Sequence, residues 1–393
     1  MKASIDDRKT CHSVLHLIDI FDARYERDQQ RIVALQSESE YSVTVVTSKY
    51  NDEWRRSPRS AFREWEAGLK GVDVRHSRSV KLPFFETAVY FPRPRALCNY
   101  DIIHAYGPWA YSSYLACILK EFTSTPVVMR ADFSEPGYQR AKRSLFWRAL
   151  LHAQFRYADA ITTFTQTEKQ YLTDLGIAER KIWVIPVGVD LAKFGNTVNS
   201  ARPENEPVIG YIGRFAPLKG VHRLVAPLSQ ILHEYENVKV IFAGPQYDRA
   251  YFARILKEMS QFVNFTYMGT PQDSTTFFDQ CDIILIPGMR DTGAITAKEA
   301  MAAGKAVVAF NVYPFNSYIE NEISGLLIDA ENDIYESCKR LIEDSRFRAR
   351  IQKAALIQAR EFGDREMVRK IETMYDSIVA LKQSGEHQRR LSQ

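Results

Sequence analysis

Residues 281–304 read CDIILIPGMRDTGAITAKEAMAAG, and this stretch decides the fold class of the C-terminal half of the chain. It opens with an apolar, β-branched run of strand length, residues 283–286, which Pro287 and Gly288 close. A short polar loop follows, and residues 294–303 have the composition of a helix that ends at Gly304. This order of strand, loop and helix is typical of a parallel sheet.

The start of this helix is suited to binding phosphate. The first backbone N–H groups of a helix have no acceptor within it and face an anion with the positive end of the helix dipole. Two carboxylates bracket the loop, Asp291 before the helix and Glu299 in its second turn. Carboxylates repel phosphate, so they suit the hydroxyl groups of a sugar or ribose beside it. The stretch alone also permits an ordinary crossover helix with two solvated acids.

Composition restricts the class of protein. The 393 residues suffice for two domains of ordinary size, and the 45% hydrophobic and 25% charged fractions are typical of soluble globular proteins. The net charge of +4 permits an anionic partner without requiring one. The N-terminus, MKASIDDRKT, carries acids where a signal peptide would be apolar, and no apolar run reaches membrane-spanning length. Five scattered cysteines without metal spacing indicate reduced, buried thiols. We therefore expect a cytoplasmic protein.

Two runs of alternating strands and helices divide the chain. The first run has strand patterns at residues 13–20, 41–47, 101–105, 126–130, 160–164 and 181–185. The second has them at residues 208–213, 239–243, 263–267, 283–286 and 306–310. A polar, non-periodic segment, residues 196–207, separates the two. The pattern predicts two doubly wound, Rossmann-like α/β domains that bind ligands at the carboxyl ends of their strands.

Two basic and aromatic segments, residues 54–81 and 140–156, lie in the first run. The second segment interleaves Arg143 and Arg148 with Phe146 and Trp147 at helical spacing. Such segments lie on anionic membranes or bind phosphate-bearing acceptors, and they also occur as solvated faces of ordinary helices. We expect no nucleic-acid partner, because no nucleic-acid-binding module or strong positive charge accompanies them.

The loop and helix resemble the donor signature of the retaining GT-B glycosyltransferases, the large group usually called family 4. The shared features are two acids eight residues apart and a following Ala-Met-Ala-x-Gly. Residues 213–220, GRFAPLKG, resemble the donor element of the same family, in which Gly-Arg precedes Lys-Gly. The resemblance extends over residues 14–375 and is densest over 158–329.

The chain also departs from the family pattern. The first acid is Asp291 where the family has Glu, and Thr292, Gly293 and Ala294 replace its Gly-Phe-Gly. The turn after the first strand reads DIFDARYE and lacks the usual glycines, and Val187 replaces an Asn before Gly188.

The resemblance implies a GT-B architecture. Residues 1–195 would form the acceptor domain, 196–207 the linker, 208–365 the nucleotide-sugar donor domain, and 366–393 a helix that crosses back to the first domain. It implies transfer of a sugar from a UDP- or GDP-sugar to an acceptor hydroxyl with retention of anomeric configuration, in glycan, glycolipid or cell-surface polysaccharide synthesis. The acceptor would be a glycan, a lipid-linked or a small molecule, with peripheral contact to an anionic membrane as a further expectation. No metal or other cofactor is expected.

The resemblance also assigns donor-site roles. Arg214 and Lys219 would neutralise the diphosphate leaving group in place of a metal. Glu299 would accept hydrogen bonds from the ribose hydroxyls, and Asp291 would contact the donor sugar. Ala294, Ile295 and Thr296 would offer backbone N–H groups to the phosphates, and Gly213 and Gly293 would also belong to the donor-binding site.

Four residues are candidates in the first domain. Asp132 falls where many relatives place a histidine near the reacting sugar, and a carboxylate there could stabilise an oxocarbenium-like sugar or orient the acceptor. The alternative for Asp132 is a helix cap or turn acid. Asp22 and Arg24 are acceptor-side candidates in the glycine-free turn. His104 is a third, although its strand also favours a purely structural histidine.

Two other functions remain open at this point. One is a sugar-nucleotide-binding protein without transferase activity, which the altered loop at residues 291–294 would suit. The other is a GT-B epimerase or phosphorylase. Turnover of a nucleotide sugar with an acceptor distinguishes transfer, epimerisation and binding without chemistry.

Overall fold

The structure is a computed structural model that describes residues 13–19, 21, 28–39, 41–48, 69, 71–80, 89–92, 97–195, 206–291 and 293–391. The chain divides into two compact units. Unit 1 consists of Met1–Pro186 with Arg365–Gln393, and unit 2 consists of Val187–Asp364.

The described strands, in chain order, are β1 (Ser13–Ile18), β2 (Ser42–Ser48), β3 (Val72–Val80), β4 (Val89–Phe91), β5 (Ile102–Tyr106), β6 (Val127–Arg130), β7 (Ala160–Thr163), β8 (Ile182–Val184), β9 (Val208–Ile212), β10 (Lys239–Ala243), β11 (Phe265–Tyr267), β12 (Ile283–Ile286), β13 (Ala306–Phe310) and β14 (Leu326–Ile328).

The described α-helices are α1 (Asp28–Glu38), α2 (Tyr111–Thr123), α3 (Glu135–Arg143), α4 (Leu145–Phe155), α5 (Gln166–Asp174), α6 (Leu191–Gly195), α7 (Val225–Glu234), α8 (Arg249–Met259), α9 (Thr275–Phe278), α10 (Ile295–Ala302), α11 (Asp333–Glu343), α12 (Ser345–Ala359) and α13 (Asp364–Leu391).

Unit 1 is built on a sheet with the strand order β4-β3-β2-β1-β5-β6-β7-β8. Its neighbouring strands are parallel except for β3 and β4, which are antiparallel. β5, β6 and β7 are buried along their whole length, because helices cover both faces of such a sheet. The C-terminal helix α13 packs Met367, Ile371 and Tyr375 into the cluster that contains Val14 and Val128 of the sheet.

A buried polar cluster connects this sheet to α1 and α13. His16 Nε2 donates to Gln36 Oε1 and His16 Nδ1 accepts from the Tyr106 hydroxyl, both at 2.8 Å. His104 Nδ1 lies 2.5 Å from the Tyr375 hydroxyl. Burial lowers the pKa of His16 to about 4 and holds the pKa of His104 well below its ordinary value. Both imidazoles are therefore neutral in the folded protein near pH 7.

Unit 2 is built on a parallel sheet with the strand order β11-β10-β9-β12-β13-β14. The order reverses at β9, which places β10 on one side and β12 on the other. This is the doubly wound topology that the alternating pattern predicts. β10, β12 and β13 match their predicted positions, and β9 ends one residue earlier than predicted.

The division between the units lies at Pro186 and Val187, earlier than the predicted linker. Val189 N donates to Phe362 O and Asp364 N donates to Val189 O, both at 2.9 Å, so this segment pairs with the end of unit 2. Phe194 is 1% exposed and packs in the same core as Phe278. Backbone pairing and burial therefore assign residues 187–195 to unit 2, although their sequence continues the first βα run.

Several smaller expectations concern surfaces and thiols. Residues 140–156 form two helices, α3 and α4, rather than one, because Ser144 between them is extended. Of residues 54–81, the structure describes residues 69 and 71–80, and residues 72–80 form β3. Cys281 and Cys338 are buried, but Cys98 is exposed, so the prediction of buried thiols is wrong at Cys98. Within the described ranges, no helix is both long and apolar enough to cross a membrane.

Candidate functional site

Two glycines at the carboxyl edge of the unit 2 sheet allow neighbouring backbone segments to pack closely. Gly213 N donates to Ala243 O at 3.0 Å, and Gly244 N donates to Gly269 O at 2.8 Å. Gly244 has a φ of +126°, and a Cβ at this position would lie 2.0 Å from the Gly213 carbonyl oxygen. The backbones that follow β9 and β10 approach each other so closely that no side chain fits between them.

Arg214 follows directly on this close approach. It is exposed, and its guanidinium lies 5.4 Å from the ring centroid of Tyr247, which is itself 69% exposed. The Tyr211 hydroxyl donates to the Arg214 carbonyl at 3.0 Å, so the backbone beneath the side chain is held in place. The sequence reasoning missed Tyr247, although an exposed aromatic residue just after a strand end is a detectable signal.

Lys219 ends the loop that Arg214 begins. Gly220, which follows it, has a φ of +70°, and a Cβ there would lie 2.3 Å from the Pro287 carbonyl oxygen. This contact brings the loop after β9 against the end of β12. Lys219 Nζ donates to Asp291 Oδ2 at 2.9 Å, and the two side chains are 28% and 24% exposed. Lys219, which is predicted to bind phosphate, thus forms an ion pair with Asp291, which is predicted to bind the donor sugar.

Asp291 also organises the loop before α10. Its Oδ1 accepts from Gly293 N at 3.3 Å and from Ala294 N at 3.2 Å. Ala294 has a left-handed φ of +49°, a conformation that favours glycine, and it immediately precedes the helix. The N–H groups of Gly293 and Ala294, two residues of the predicted donor site, thus contact the Asp291 carboxylate.

The helix α10 presents the remaining predicted donor ligands. Ile295 and Thr296 form its first turn, whose N–H groups lie too early in the helix to bond along its axis. Glu299 follows one turn later and is half-buried. Arg214, Lys219, Asp291 and the start of α10 therefore belong to loops at one edge of a single sheet.

Lys298, adjacent to Glu299, is a residue that the sequence reasoning missed. Its side chain is 1% exposed, and Nζ donates to Val187 O at 3.0 Å and lies 3.6 Å from the Tyr318 ring centroid. Val187 also contacts the loop, because a Cβ on Gly293 would lie 3.2 Å from Val187 Cγ2. The Lys298 hydrogen bond thus connects helix α10 to Val187, the first residue of unit 2. Its signal in the sequence is a cation on a helix otherwise rich in small apolar residues.

Asp132 lies at the carboxyl end of β6 in unit 1. Its φ is +41°, which is uncommon for a residue with a side chain. Asp132 Oδ1 lies 3.6 Å from Arg130 Nε, and the two side chains are 33% and 5% exposed. The Arg130 guanidinium lies 4.2 Å from the Phe164 ring centroid. Asp132 is thus a partly exposed carboxylate beside a buried cation, in a backbone conformation that Asp adopts more readily than most residues.

The turn that holds Asp132 is fixed by a second, fully buried carboxylate. Glu168 Oε1 accepts from Phe133 N at 3.1 Å, and Glu168 Oε2 accepts from Phe164 N at 2.5 Å. Glu168 is 0% exposed. Local sequence does not predict this role for Glu168, because its two backbone donors follow two separate strands, β6 and β7.

The other unit 1 candidates have different outcomes. Asp22 and Arg24 lie outside the described residues. His104 is 1% exposed inside β5 and bonded to Tyr375, so it lies within the fold rather than at an acceptor-facing surface. Asp19 at the end of β1 accepts from Tyr111 N at 3.0 Å and Ser112 N at 2.8 Å, which caps α2.

Among the residues that the structure describes, no group of three or more His, Cys, Asp or Glu could hold a metal ion.

Comparisons with known families account for both units. The family model described as glycosyl transferases group 1 matches residues 196–357, and the model described as Glycosyltransferase Family 4 matches residues 30–193. The chain belongs to this glycosyltransferase family. The predicted family is therefore confirmed, and the activity class is glycosyl transfer.

The chain is similar to two characterised kinds of relative. It is 26% identical over 333 residues to a D-inositol 3-phosphate glycosyltransferase of Salinispora tropica, covering 76% of this chain and 67% of that protein. It is 21% identical over 336 residues to the N,N'-diacetylbacillosaminyl-diphospho-undecaprenol alpha-1,3-N-acetylgalactosaminyltransferase of Campylobacter jejuni, covering 80% of this chain and 87% of that protein.

Solved structures share the GT-B fold of this glycosyltransferase. Anabaena Alr3699/HepE in complex with UDP has a TM-score of 0.74 at 17% identity, covering 93% of this chain and 100% of that chain. The sucrose-phosphate synthase of Thermosynechococcus elongatus has a TM-score of 0.71 at 18% identity, covering 94% of this chain and 100% of that chain. The predicted fold class, two Rossmann-like domains of the GT-B type, is confirmed.

Proposed function

We propose that this glycosyltransferase moves a sugar from a nucleoside-diphosphate sugar to an acceptor hydroxyl with retention of anomeric configuration. The observation that carries the proposal is the clustering of Arg214, Lys219 and the α10 N-terminus at one sheet edge, with Glu299 one turn further along the helix. A UDP-sugar is the donor we favour over a GDP-sugar, because the solved structure of Anabaena Alr3699/HepE that shares this fold contains UDP.

The cations explain how the donor would be activated. When the bond between the anomeric carbon and the phosphate oxygen breaks, the electron pair stays on the leaving diphosphate, whose negative charge grows. Arg214 can donate two parallel hydrogen bonds to phosphate oxygens, Lys219 adds a point charge, and Ile295 and Thr296 offer helix N–H groups. Because these charges balance the leaving group, we expect transfer to continue in the presence of EDTA.

The carboxylates would act on the sugar side of the same bond. Glu299 would accept hydrogen bonds from ribose hydroxyls, and Asp291 would accept them from hydroxyls of the donor sugar. Asp132, which unit 1 holds at a strand end beside Arg130, would stabilise the positive charge of an oxocarbenium-like sugar or orient the acceptor. Synthesis of a glycan, glycolipid or cell-surface polysaccharide is the setting in which we place this reaction.

Turnover of labelled donor tests the proposed function. Thermal-shift screening of nucleoside diphosphates identifies the base, and incubation of the matching nucleotide sugars with candidate acceptors then gives a product whose anomeric configuration is read by NMR. Transfer with inversion would contradict the retaining assignment. Tight nucleotide binding with no transfer to any acceptor would favour a binding protein, and sugar isomerisation would favour an epimerase.

Replacement of Glu299 by alanine should weaken UDP binding. A carboxylate bonded to ribose hydroxyls contributes about 1.5–3 kcal/mol, so we expect a loss of affinity of about 10- to 100-fold. The loss should be equal for UDP and for the UDP-sugar, because both carry the ribose. Isothermal titration calorimetry measures it, with Glu336→Ala as the control, an exposed acid in the first turn of α11. Unchanged affinity in Glu299→Ala would remove Glu299 from the ribose site.

We propose that α3 and α4 contact an anionic membrane that carries the acceptor. Leu145 and Phe146 are 76% and 68% exposed, and exposed cations flank them in the sequence at Arg140, Lys142, Arg143 and Arg148. Apolar side chains that insert between cations suit the interface of an anionic bilayer. The Campylobacter jejuni relative is named for an acceptor linked to undecaprenol diphosphate, which is consistent with a lipid-linked acceptor here.

Charge reversal on this surface should release the protein from anionic vesicles. Each cation near the bilayer contributes about 1 kcal/mol, so Arg143→Glu with Arg148→Glu should lower binding to phosphatidylserine vesicles by at least about 30-fold. Co-sedimentation at low and high salt measures the effect, and Arg180→Glu, a reversal of another exposed cation of unit 1, is the control. Vesicle binding that changes neither with salt nor with the reversals at Arg143 and Arg148 would indicate a soluble acceptor.

A further inference from the structure

We propose that the Asp291 carboxylate is an internal anion. It accepts hydrogen bonds from the donor-site groups that would bind phosphate, until a nucleoside diphosphate displaces it. The inference rests on the proposed function, in which Lys219 binds the diphosphate, and on the expectation that Gly293 and Ala294 belong to the same donor site. It adds a specificity role for Asp291: the residue would make the site prefer the intact donor to the nucleoside diphosphate that remains after transfer.

The geometry of the loop carries the inference. One carboxylate binds three donors that the phosphates would need: Lys219 Nζ at 2.9 Å, Gly293 N at 3.3 Å and Ala294 N at 3.2 Å. The ammonium and the two amides come from loops 72 residues apart, which converge on this group. An anion at their centre satisfies them as a phosphate oxygen would, since each is a donor that prefers a charged acceptor.

Competition between the two anions follows from charge. A diphosphate that takes the Lys219 ammonium must break the Lys219–Asp291 pair, and it then lies beside a carboxylate of like charge. Both pair members are about one quarter exposed, so solvent screens part of each interaction and displacement stays possible. The binding of a bare nucleoside diphosphate is therefore weakened by the loss of the pair and by repulsion.

An intact nucleotide sugar can offer Asp291 new hydrogen-bond donors in place of Lys219, whereas the bare nucleoside diphosphate cannot. Once Lys219 turns to the diphosphate, the freed Asp291 oxygen can accept hydrogen bonds from hydroxyls of the sugar attached to it. UDP lacks the transferred sugar, so the released carboxylate gains no new partner from it. Asp291 thereby raises the affinity for the UDP-sugar relative to UDP, which limits inhibition by the product.

Calorimetric titration of Asp291→Asn with UDP and with pyrophosphate tests the proposal. The asparagine oxygen can still accept from Gly293 and Ala294, but the charge that holds Lys219 is gone. We expect both ligands to bind about threefold to tenfold more tightly, the scale of a partly exposed ion pair together with one removed like charge. The affinity for the UDP-sugar should not rise in the same proportion, and kcat should fall. The variant should therefore have a lower ratio of UDP-sugar affinity to UDP affinity than wild type. Loss of a residue with a purely structural role in the loop would not lower this ratio.

Three further variants control the experiment. Glu206→Gln removes the acid of an ion pair with Lys239, 3.4 Å long, at the start of the sheet, and should leave the UDP affinity unchanged. In a Lys219→Met background, Asp291→Asn should no longer tighten pyrophosphate binding, because no ammonium remains to be released. Asp291→Ala, which also removes the acceptor of the loop N–H groups, should bind pyrophosphate at least as tightly as Asp291→Asn. Circular dichroism establishes that each variant is folded.

The outcomes separate this proposal from the proposed function. Wild-type binding of UDP with unchanged or weaker binding in Asp291→Asn and Asp291→Ala would overturn the internal anion and leave the transferase intact. Tighter pyrophosphate binding in the variants, with no nucleotide bound by any of them, would support the internal anion and overturn the nucleotide-sugar donor. Absence of binding of both probes to every variant would overturn both.

Discussion

Replacement of Arg214 by alanine is expected to lower kcat for sugar transfer by about 10²- to 10³-fold, the effect of removing one preorganised donor from a developing negative charge. The guanidinium would contact the diphosphate most strongly when the glycosidic bond is broken, so kcat should fall more than KM rises. Initial rates with saturating and limiting nucleotide sugar separate the two. Arg214→Lys should recover part of the loss, because a point charge replaces the two-pronged contact.

A matched control exists in the same unit. Arg254 is an exposed arginine on α8 whose guanidinium lies 5.6 Å from the Tyr251 ring centroid, much as Arg214 lies beside Tyr247. Arg254→Ala should leave kcat unchanged within about twofold, because surface substitutions away from a site have small effects. Equal activity of the two alanine variants would show that Arg214 does not act on the leaving group.

Acidification from pH 6.5 to pH 4 is expected to destabilise unit 1 strongly. His16 has a lowered pKa of about 4 in the folded state and an ordinary pKa of 6.5 when unfolded, and burial is the larger cause. Above pH 6.5 the imidazole is neutral in both states, and its contribution to stability is fully present. Below pH 6.5 the unfolded state binds the proton first, so stability falls until the folded pKa is reached, by about 3 kcal/mol for this group. His104, whose pKa is also lowered by burial, adds a loss of the same sign.

Tryptophan fluorescence makes this measurement selective. All five tryptophans, Trp54, Trp65, Trp109, Trp147 and Trp183, lie in unit 1, so urea titrations followed by fluorescence report on that unit. The pH dependence of the unfolding free energy between pH 4 and 7 should be smaller in His16→Gln than in wild type, although the variant is less stable at pH 7. His233→Gln, which removes an exposed histidine of unit 2, should not change it. An identical slope in His16→Gln and wild type would refute the assignment.

Local pattern sufficed to predict the fold class. β12 and β13 are continuous apolar runs, and such runs form buried strands of a parallel sheet wherever helices separate them. The spacing of Arg214, Lys219, Asp291 and Glu299 is also local, because each follows a strand end whose position the pattern predicts. These short motifs carry the resemblance that predicts the family and the donor-site residues.

The boundary of unit 2 and the role of individual polar groups needed the tertiary structure. Residues 187–195 join unit 2 because Val189 pairs with Gly363, a contact between distant segments that no local pattern encodes. Lys298 is buried because Val187 O and the Tyr318 ring receive its ammonium, whereas its sequence neighbours are those of an ordinary helix. Burying a cation costs so much that only partners brought together by the fold make it possible.

The sequence by itself determined the two parallel-sheet units, because hydrophobic periodicity is a property of short stretches, and its motifs determined the glycosyltransferase family through their resemblance to known members. Only the tertiary structure decided which residues contact one another. Lys219 and Asp291 are 72 residues apart and His104 and Tyr375 are 271 apart, and each pair meets at hydrogen-bonding distance. The strength and sign of such contacts depend on distance and burial, which exist only once the chain has folded.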